Sequence, residues 1–446
     1  MNGTKTFQAR SAAGDHAREP GSPVRNLRLR RGDTVWWVEQ GWDDRLLDRE
    51  APDWLALEQD ARAECIKSGH RRATWKVRVG KRAVFAKVHE TGGAWDRVRH
   101  LIGGNPAWCE WRAASEALRR GVPAIRPLAV GLSAGSPRRS VFLSEGVLGA
   151  VSLGDAWPGK SSLLESRPVG RGVSVHAITA IRDAIASLFA AAHERGFVHP
   201  DGHPNNVLVR TDSGGEPKAA FVDVKGARLS NGPIPKRRAV RSLAQLEHYF
   251  QRYPCRTQRM RFLRTYLAAR PSVDLRPPGC LVRRNWATAI ARECTRHASR
   301  LARGRDRRLR RNGKYFSTLR LQNGWSATVV LKLERRHAFP EPDVPDWSRE
   351  DWLAVLDLLP RNAAGMQDPG ELIRDNRLHC EPGNPIPLLR RLEYVLIGPP
   401  QRRIFEQCHM QRHRDVPAEL ILGYLEHRTC GLIDATALIR PRRATE

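Results

Sequence analysis

Apolar and polar positions alternate from Ala73 onward, with Trp75, Val77 and Val79 on one arm, a turn at Gly80-Lys81, and Val84-Phe85-Ala86-Lys87-Val88 on the other. A period of two on both sides of a short turn predicts a β-hairpin, here with a lysine in the returning strand. The period then lengthens. Residues 107–120 carry helical spacing that stops at Gly121, with Val122-Pro123 beyond it. Two short apolar runs follow, 128–131 and 141–143, the second leading into Glu145-Gly146. The order expected over this stretch is strand, strand, helix, strand, strand.

A long helix is expected over 175–195, because Val175, Ile178, Ile181, Ile185, Leu188 and Ala192 fall on one face and Gly196 stands at the C-cap position. Directly after it comes HPDGHPNNVLV (199–209), then a Gly/Ser turn at 212–215, then Phe221-Val222-Asp223-Val224 as another short strand.

Upstream of the hairpin the pattern is weaker. Residues 1–33 are polar and arginine-rich, with no sustained period, and are expected to form a flexible basic arm. Residues 34–69 form an N-terminal extension, with a tryptophan-containing stretch at 34–47 and an acidic amphipathic segment at 54–66.

Past residue 300 the hairpin pattern returns. Leu319-Arg320-Leu321, a turn at Asn323-Gly324 and Thr328-Val329-Val330-Leu331-Lys332 restate the first hairpin and its lysine. Gly398-Pro399-Pro400 through Arg414 to Ala418 parallels Gly104-Asn105-Pro106 through Arg120 to Ala124 at a constant offset, and two strand-like runs follow at 420–425 and 431–439. Ile404 stands where Glu110 would align, and no counterpart of the 199–209 run follows, so Lys332 is expected to be structural.

Composition adds one outlying property, an excess of 76 Lys and Arg over 47 Asp and Glu that gives a formal charge of +29. Such a field draws anions, whether nucleotides, phosphorylated glycolipids or acidic membrane surfaces, without choosing among them. Nucleic acid is not expected as a partner, since no aromatic-rich RNA-binding pattern accompanies the arginines. The eight cysteines show no paired CxxC spacing, which argues against a zinc site or a disulfide framework and for a reducing compartment. With no apolar run near the roughly 18 residues that cross a bilayer, a cytoplasmic protein is expected.

The chemistry sits in a few polar residues set in order along the apolar frame. Phosphoryl transfer from a nucleotide needs a cation on the phosphates, metal to neutralise charge, and a carboxylate that positions the acceptor hydroxyl. His199-x-Asp201-x-x-x-x-Asn206 has the spacing of a kinase catalytic loop, in which the aspartate accepts the hydroxyl proton and the asparagine five residues on holds Mg²⁺. Asp223, seventeen residues after Asn206, stands where the second metal carboxylate belongs. Lys87 occupies the place of the phosphate-binding lysine, Glu110 in the next helix is its expected ion-pair partner with Glu116 as a competitor, and Glu145 falls where a hinge would face the adenine. His199 and His203 are expected to brace a tight loop rather than ligate metal.

FAK (85–87), EWRAASEALRRGVPAIRPLAVG (110–131), HPDGHPNNVLV (199–209) and FVDV (221–224) together resemble the bacterial lipopolysaccharide kinases of the Kdo/WaaP type. The resemblance covers about residues 70–270. It implies a kinase that phosphorylates a sugar hydroxyl of lipopolysaccharide core or a related glycolipid at the inner face of the cytoplasmic membrane, using ATP and Mg²⁺. Asp201 would then be the base, Asn206 and Asp223 the metal ligands, Lys87 the phosphate lysine and Glu110 its support. Two departures stand out: no GxGxxG precedes Lys87, so the phosphate-covering turn is expected within 76–81 from basic side chains, and the metal motif reads Asp223-Val224-Lys225. No Ala-Pro-Glu follows Asp223, which argues against a peptide acceptor.

The fold class expected is α+β, a two-lobed protein-kinase-like fold with an antiparallel small lobe over 70–147 and a larger helical lobe over 148–300. A degenerate small-lobe-like repeat over 301–446 is expected to follow. The competing readings are a protein or small-molecule kinase on the same scaffold, and a pseudokinase that only binds partners.

Overall fold

In the computed structural model the hairpin of alternating residues forms as two paired strands. In chain order the elements are β1 (Asn26–Arg31), β2 (Thr34–Glu39), α1 (Asp43–Leu46), β3 (Ala63–Gly69), β4 (Arg72–Val79), β5 (Arg82–Thr91), α2 (Pro106–Arg119), β6 (Pro127–Ser133) and β7 (Arg138–Glu145). Next come β8 (Val151–Ser152), α3 (Leu153–Ala156), α4 (Val175–Glu194), β9 (Phe197–Val198), β10 (Val207–Thr211), β11 (Pro217–Phe221), β12 (Arg228–Leu229), α5 (Lys236–Phe250), α6 (Arg256–Ala268) and α7 (Gly279–Asp306). The structure describes residues 26–48, 50–69, 71–92, 104–134, 138–156, 175–211, 215–250, 256–275, 279–321, 324–333, 347–356, 378–383 and 386–441. Residues 1–25 of the expected arm, the core of the 212–215 turn and Asn323 lie outside them. The chain divides into two units, 1–294 and 295–446.

The first unit opens with a seven-stranded antiparallel sheet in the order β1-β2-β6-β7-β5-β4-β3. Two sequence expectations change here. Residues 26–31, assigned to a flexible arm, are edge strand β1, and the extension 34–69 supplies β2 beside β6 and β3 beside β4. Both edge strands are exposed along nearly their whole length. With neither face buried, β1 alternates only at Leu27 and Leu29 and β3 not at all, too little for a period to be read. The extension also completes the core: Trp36, Val38, Trp42, Leu46, Trp54 and Leu57 pack with Val77, Val84, Ala86, Leu128, Val141 and Leu143.

Helix α2 begins at Asn105, whose side chain accepts hydrogen bonds from the amides of Ala107 and Trp108, and it ends before Gly121 in the left-handed region. Beyond it, residues 123–125 reach β11, with Phe221 donating to Pro123 O and Ile125 donating to Phe221 O. Helix α4 buries Ile185, Leu188, Phe189 and Ala192 against Phe197, Val207 and Phe221. Its terminating Gly196 has φ +72, and a Cβ there would lie 2.3 Å from the carbonyl oxygen of Ser230 and 2.6 Å from that of Gly232. Gly196→Ala therefore combines a left-handed backbone with a collision against backbone atoms, and should destabilise by more than about 1 kcal/mol. Urea unfolding checks this, and an unchanged midpoint would contradict it.

The second unit holds β13 (Phe316–Arg320), β14 (Trp325–Val330), α8 (Arg349–Leu356), β15 (Leu378–Pro382), α9 (Leu388–Ile397), α10 (Pro400–His413), β16 (Gly423–Thr429) and β17 (Leu432–Pro441), with a sheet in the order β13-β14-β16-β17-β15. The hairpin, a helix at 400–413 and two final strands follow each other as the sequence parallel suggests. The strand neighbours do not match those of the first unit. There β5 pairs with β7, the second strand after the helix, whereas here β14 pairs with β16, the first strand after α10. The second unit is thus no topological copy of the first lobe, because spacing along the chain encodes elements and not which strands become neighbours. Ile404 is exposed, and Lys332 lies beyond the end of β14.

Candidate active site

Four elements deliver the polar residues to one place. Lys87 lies on β5, Glu110 on the buried face of α2, Asp201 and Asn206 on the loop after β9, and Asp223 just past β11. The β10–β11 hairpin brings the last two groups together: Val207 opposes Phe221, so the chain returns with Val222 donating its amide to Asn206 O at 3.0 Å. His199 closes the same junction. Its Nδ1 accepts from the Asp201 amide at 3.1 Å, which places the ring proton on Nε2, 2.9 Å from Val222 O. The ring stacks on Phe221, and burial holds it below the usual histidine pKa. Neutral His199 thus pins the catalytic-type loop to the backbone ahead of Asp223. His203 accepts from the Asn205 amide and packs on Tyr249, 4.0 Å between ring centres. Both imidazoles brace the loop.

Asp201 is exposed, and the Asn206 side-chain nitrogen donates to its carbonyl oxygen at 3.1 Å and to its Oδ2 at 3.3 Å. With its nitrogen so committed, Asn206 has its amide oxygen as the end suited to a cation. Asp223 adopts φ 55, an uncommon conformation for a residue with a side chain and one that aspartate tolerates better than most. Its Oδ1 receives Lys87 Nζ at 3.2 Å and Arg72 Nη2 at 3.5 Å. Burial works against ionisation of Asp223, but Lys87 and then Arg72 outweigh it, and the carboxyl stays below its ordinary range.

Lys87 also pairs with Glu110, whose side chain is 1% exposed. Burial pushes the Glu110 carboxyl upward, opposed chiefly by Lys87. Glu116, the competing candidate, is tied to Arg119 and Arg120 instead. Asp223, Asn206 and Asp201 offer oxygen donors in a set with few protein ligands, which suits a small hard cation that keeps waters and phosphate oxygens in its shell. Among the described residues no cluster of three or more His, Cys, Asp or Glu could hold a metal by itself.

Residues 56–266 match the model of the lipopolysaccharide kinase (Kdo/WaaP) family. The match spans 211 of the 446 residues, and over that stretch the chain is similar to the lipopolysaccharide kinases. The matched family is one of kinases, which are phosphotransferases with an alcohol group as acceptor. Among solved structures the chain is similar to one described as WaaP in complex with acyl carrier protein, at 21% identity over 58% of this chain and 98% of that one, with a TM-score of 0.40. A comparison with curated proteins gives no match.

Within the matched stretch two expected placements change. The turn at Gly80 joins β4 to β5 and leads to Arg82, which pairs with Glu145 at 2.5 Å, so it lies at the end of the sheet away from Arg72 and Asp223. The basic side chain that reaches Asp223 from this sheet, besides Lys87, is Arg72, at the start of β4 and paired with Gly69 at the end of β3. The sequence of β3 shows no alternation that would mark this strand. Glu145 binds both Arg82 and Arg126, its own amide donates to Arg126 O, and it lines a pocket of about 510 Å³ with Leu148, Leu208 and Lys218. Its carboxylate acts as a strut between cations, and contact with a base through that side chain would require Arg82 to move. Arg72 and His89, which face this site, had no motif to announce them. No described helix is long and apolar enough to cross a membrane, and the described cysteines are free thiols.

Proposed function

We propose that the first unit transfers the γ-phosphoryl group of ATP, with Mg²⁺, to a sugar hydroxyl of lipopolysaccharide core or a related glycolipid. The supporting observation is the meeting of Lys87, Glu110, Asp223, Asn206 and Asp201 at one junction, from positions spread over 137 residues. In this reading Asp201 takes the acceptor hydroxyl proton as the hydroxyl oxygen bonds to the γ-phosphorus and ADP leaves with the electrons of the broken P–O bond. Lys87, oriented by Glu110, meets the nucleotide phosphates. Asn206 and Asp223 would hold Mg²⁺, which neutralises phosphate charge. Residues 70–147 and 148–300 serve as the two lobes, joined by the earlier strands. A net charge of +29 suits phosphorylated substrates and contact with an anionic membrane surface.

Transfer from labelled ATP across a panel of core oligosaccharides, small alcohols, aminoglycosides and peptides tests the reading. Wild type should label a sugar acceptor only with Mg²⁺ present, and Asp223→Ala should reduce this by at least about 10²-fold. Labelling of peptide alone would move the acceptor to another class, and turnover unaffected by Asp223→Ala would remove the proposed metal site.

A further inference from the structure

We propose that Arg72 is a nucleotide-phosphate ligand, held on Asp223 when no nucleotide is bound and handed to the phosphates when one arrives. The inference rests on the kinase reading and names a residue which that reading does not require.

Position comes first. Arg72 is the opening residue of β4, directly after the β3–β4 turn, and pairs with His89, while Thr74 pairs with Lys87. Residues two apart on a strand share a face, and so do directly paired residues. Arg72 and Lys87 therefore project from the same side of the sheet as diagonal neighbours. They converge on one atom, Asp223 Oδ1, at 3.5 and 3.2 Å.

The second observation is local charge. His89, opposite Arg72 on that face, is buried, and its Nε2 has no hydrogen-bond partner among the described residues. Its pKa falls to about 3, through burial first and then through Arg72, Lys225 and Lys87, with Asp223 opposing. Burial alone favours the neutral imidazole, and the three cations beside it add to that preference. Around His89 the cations Arg72, Lys225 and Lys87 outnumber the opposing carboxylate, Asp223, so negative charge is drawn to that side of the site. A polyphosphate supplies that charge.

The third consideration is competition. A carboxylate oxygen that holds a divalent cation has little left for two further cations at about 3.5 Å, since like charges at such separations repel strongly in a partly desolvated site. Lys87 keeps Glu110 as a second partner. Arg72, with its side chain 44% exposed, is the cation free to swing, and its planar fork matches phosphate oxygens. A basic turn would then do with a guanidinium what a glycine-rich turn does with backbone amides.

Calorimetric titration of the full chain with ATP, ADP and adenosine, in EDTA and in Mg²⁺, tests this. Arg72→Ala should weaken ATP binding by about 10–100-fold in both conditions, leave adenosine unchanged, and leave the thermal midpoint near that of wild type. Arg72→Lys should recover part of the loss. Asp223→Asn in EDTA should tighten ATP binding by releasing Arg72, and adding Arg72→Ala should abolish that gain, a pattern that a merely structural arginine does not produce. If Arg72→Ala binds ATP as wild type does while a Lys87→Gln variant does not, the inference is overturned and the kinase reading stands. If wild type binds ATP no better than adenosine, both fall.

Discussion

Asp201→Asn should lower kcat by about 10²–10⁴-fold, the range set by loss of a positioned proton acceptor, while ATP affinity and folding stay close to wild type. The substitution is nearly isosteric. Asp201 is exposed on a loop held by His199 and by the β10–β11 hairpin, so its carboxylate is not what keeps the loop in place. The Asn206 nitrogen can still donate to the Asp201 carbonyl oxygen. What disappears is the basic oxygen that takes the acceptor proton. Steady-state kinetics on the best acceptor, with ATP titration as the control, measure this, and a kcat within a few-fold of wild type would mean that Asp201 is not the base.

Lys87→Met should remove turnover and, unlike Asp201→Asn, should also destabilise the first unit by about 3–5 kcal/mol, the cost of leaving a buried charge without its partner. Glu110 is the charge left behind, 1% exposed and with Oε2 already lacking a hydrogen-bond partner among the described residues. Its pKa is raised by burial and restrained chiefly by Lys87, so the variant leaves burial opposed only by the weaker pull of Arg72. The folded variant then binds more protons than the unfolded chain from the ordinary glutamate value of 4.5 upward, and stability falls as pH rises through that window. The deficit against wild type should therefore shrink as the pH is lowered toward 4.5. Urea unfolding across pH checks the sign. A Lys87→Met, Glu110→Leu double variant should regain much of the stability without regaining activity, because replacing both members of a buried pair removes the uncompensated charge. A deficit independent of pH would show that Glu110 is not the group at issue.

Local structure is legible in most elements with one face buried and the other wet, β2, whose burial alternates, being an exception. The β4–β5 hairpin, α2, α4, and strands β6 and β7 all have that character, and their periods mark them. The edge strands β1 and β3 do not, so the sheet looked two strands narrower on one side and one on the other. The choice of Glu110 over Glu116 rested on spacing alone; burial decides it, since Glu110 faces Lys87 from inside α2 while Glu116 lies among Arg119 and Arg120. Glu145 carried a positional expectation, and the structure surrounds it with Arg82 and Arg126.

Residue order by itself determined which chemical groups are present and at what local spacing: a lysine inside a strand, a glutamate inside a helix, and an aspartate and an asparagine five apart on a tight loop. Tertiary structure alone decided that Arg72 and Lys87 share one oxygen of Asp223, that His89 is held neutral among cations, and that the second unit pairs β14 with β16. The physical reason is range. Periodicity and turn chemistry act over a few residues and are written in them, whereas strand neighbours and ion-pair partners are chosen by burial and hydrogen bonding between segments up to about 150 residues apart.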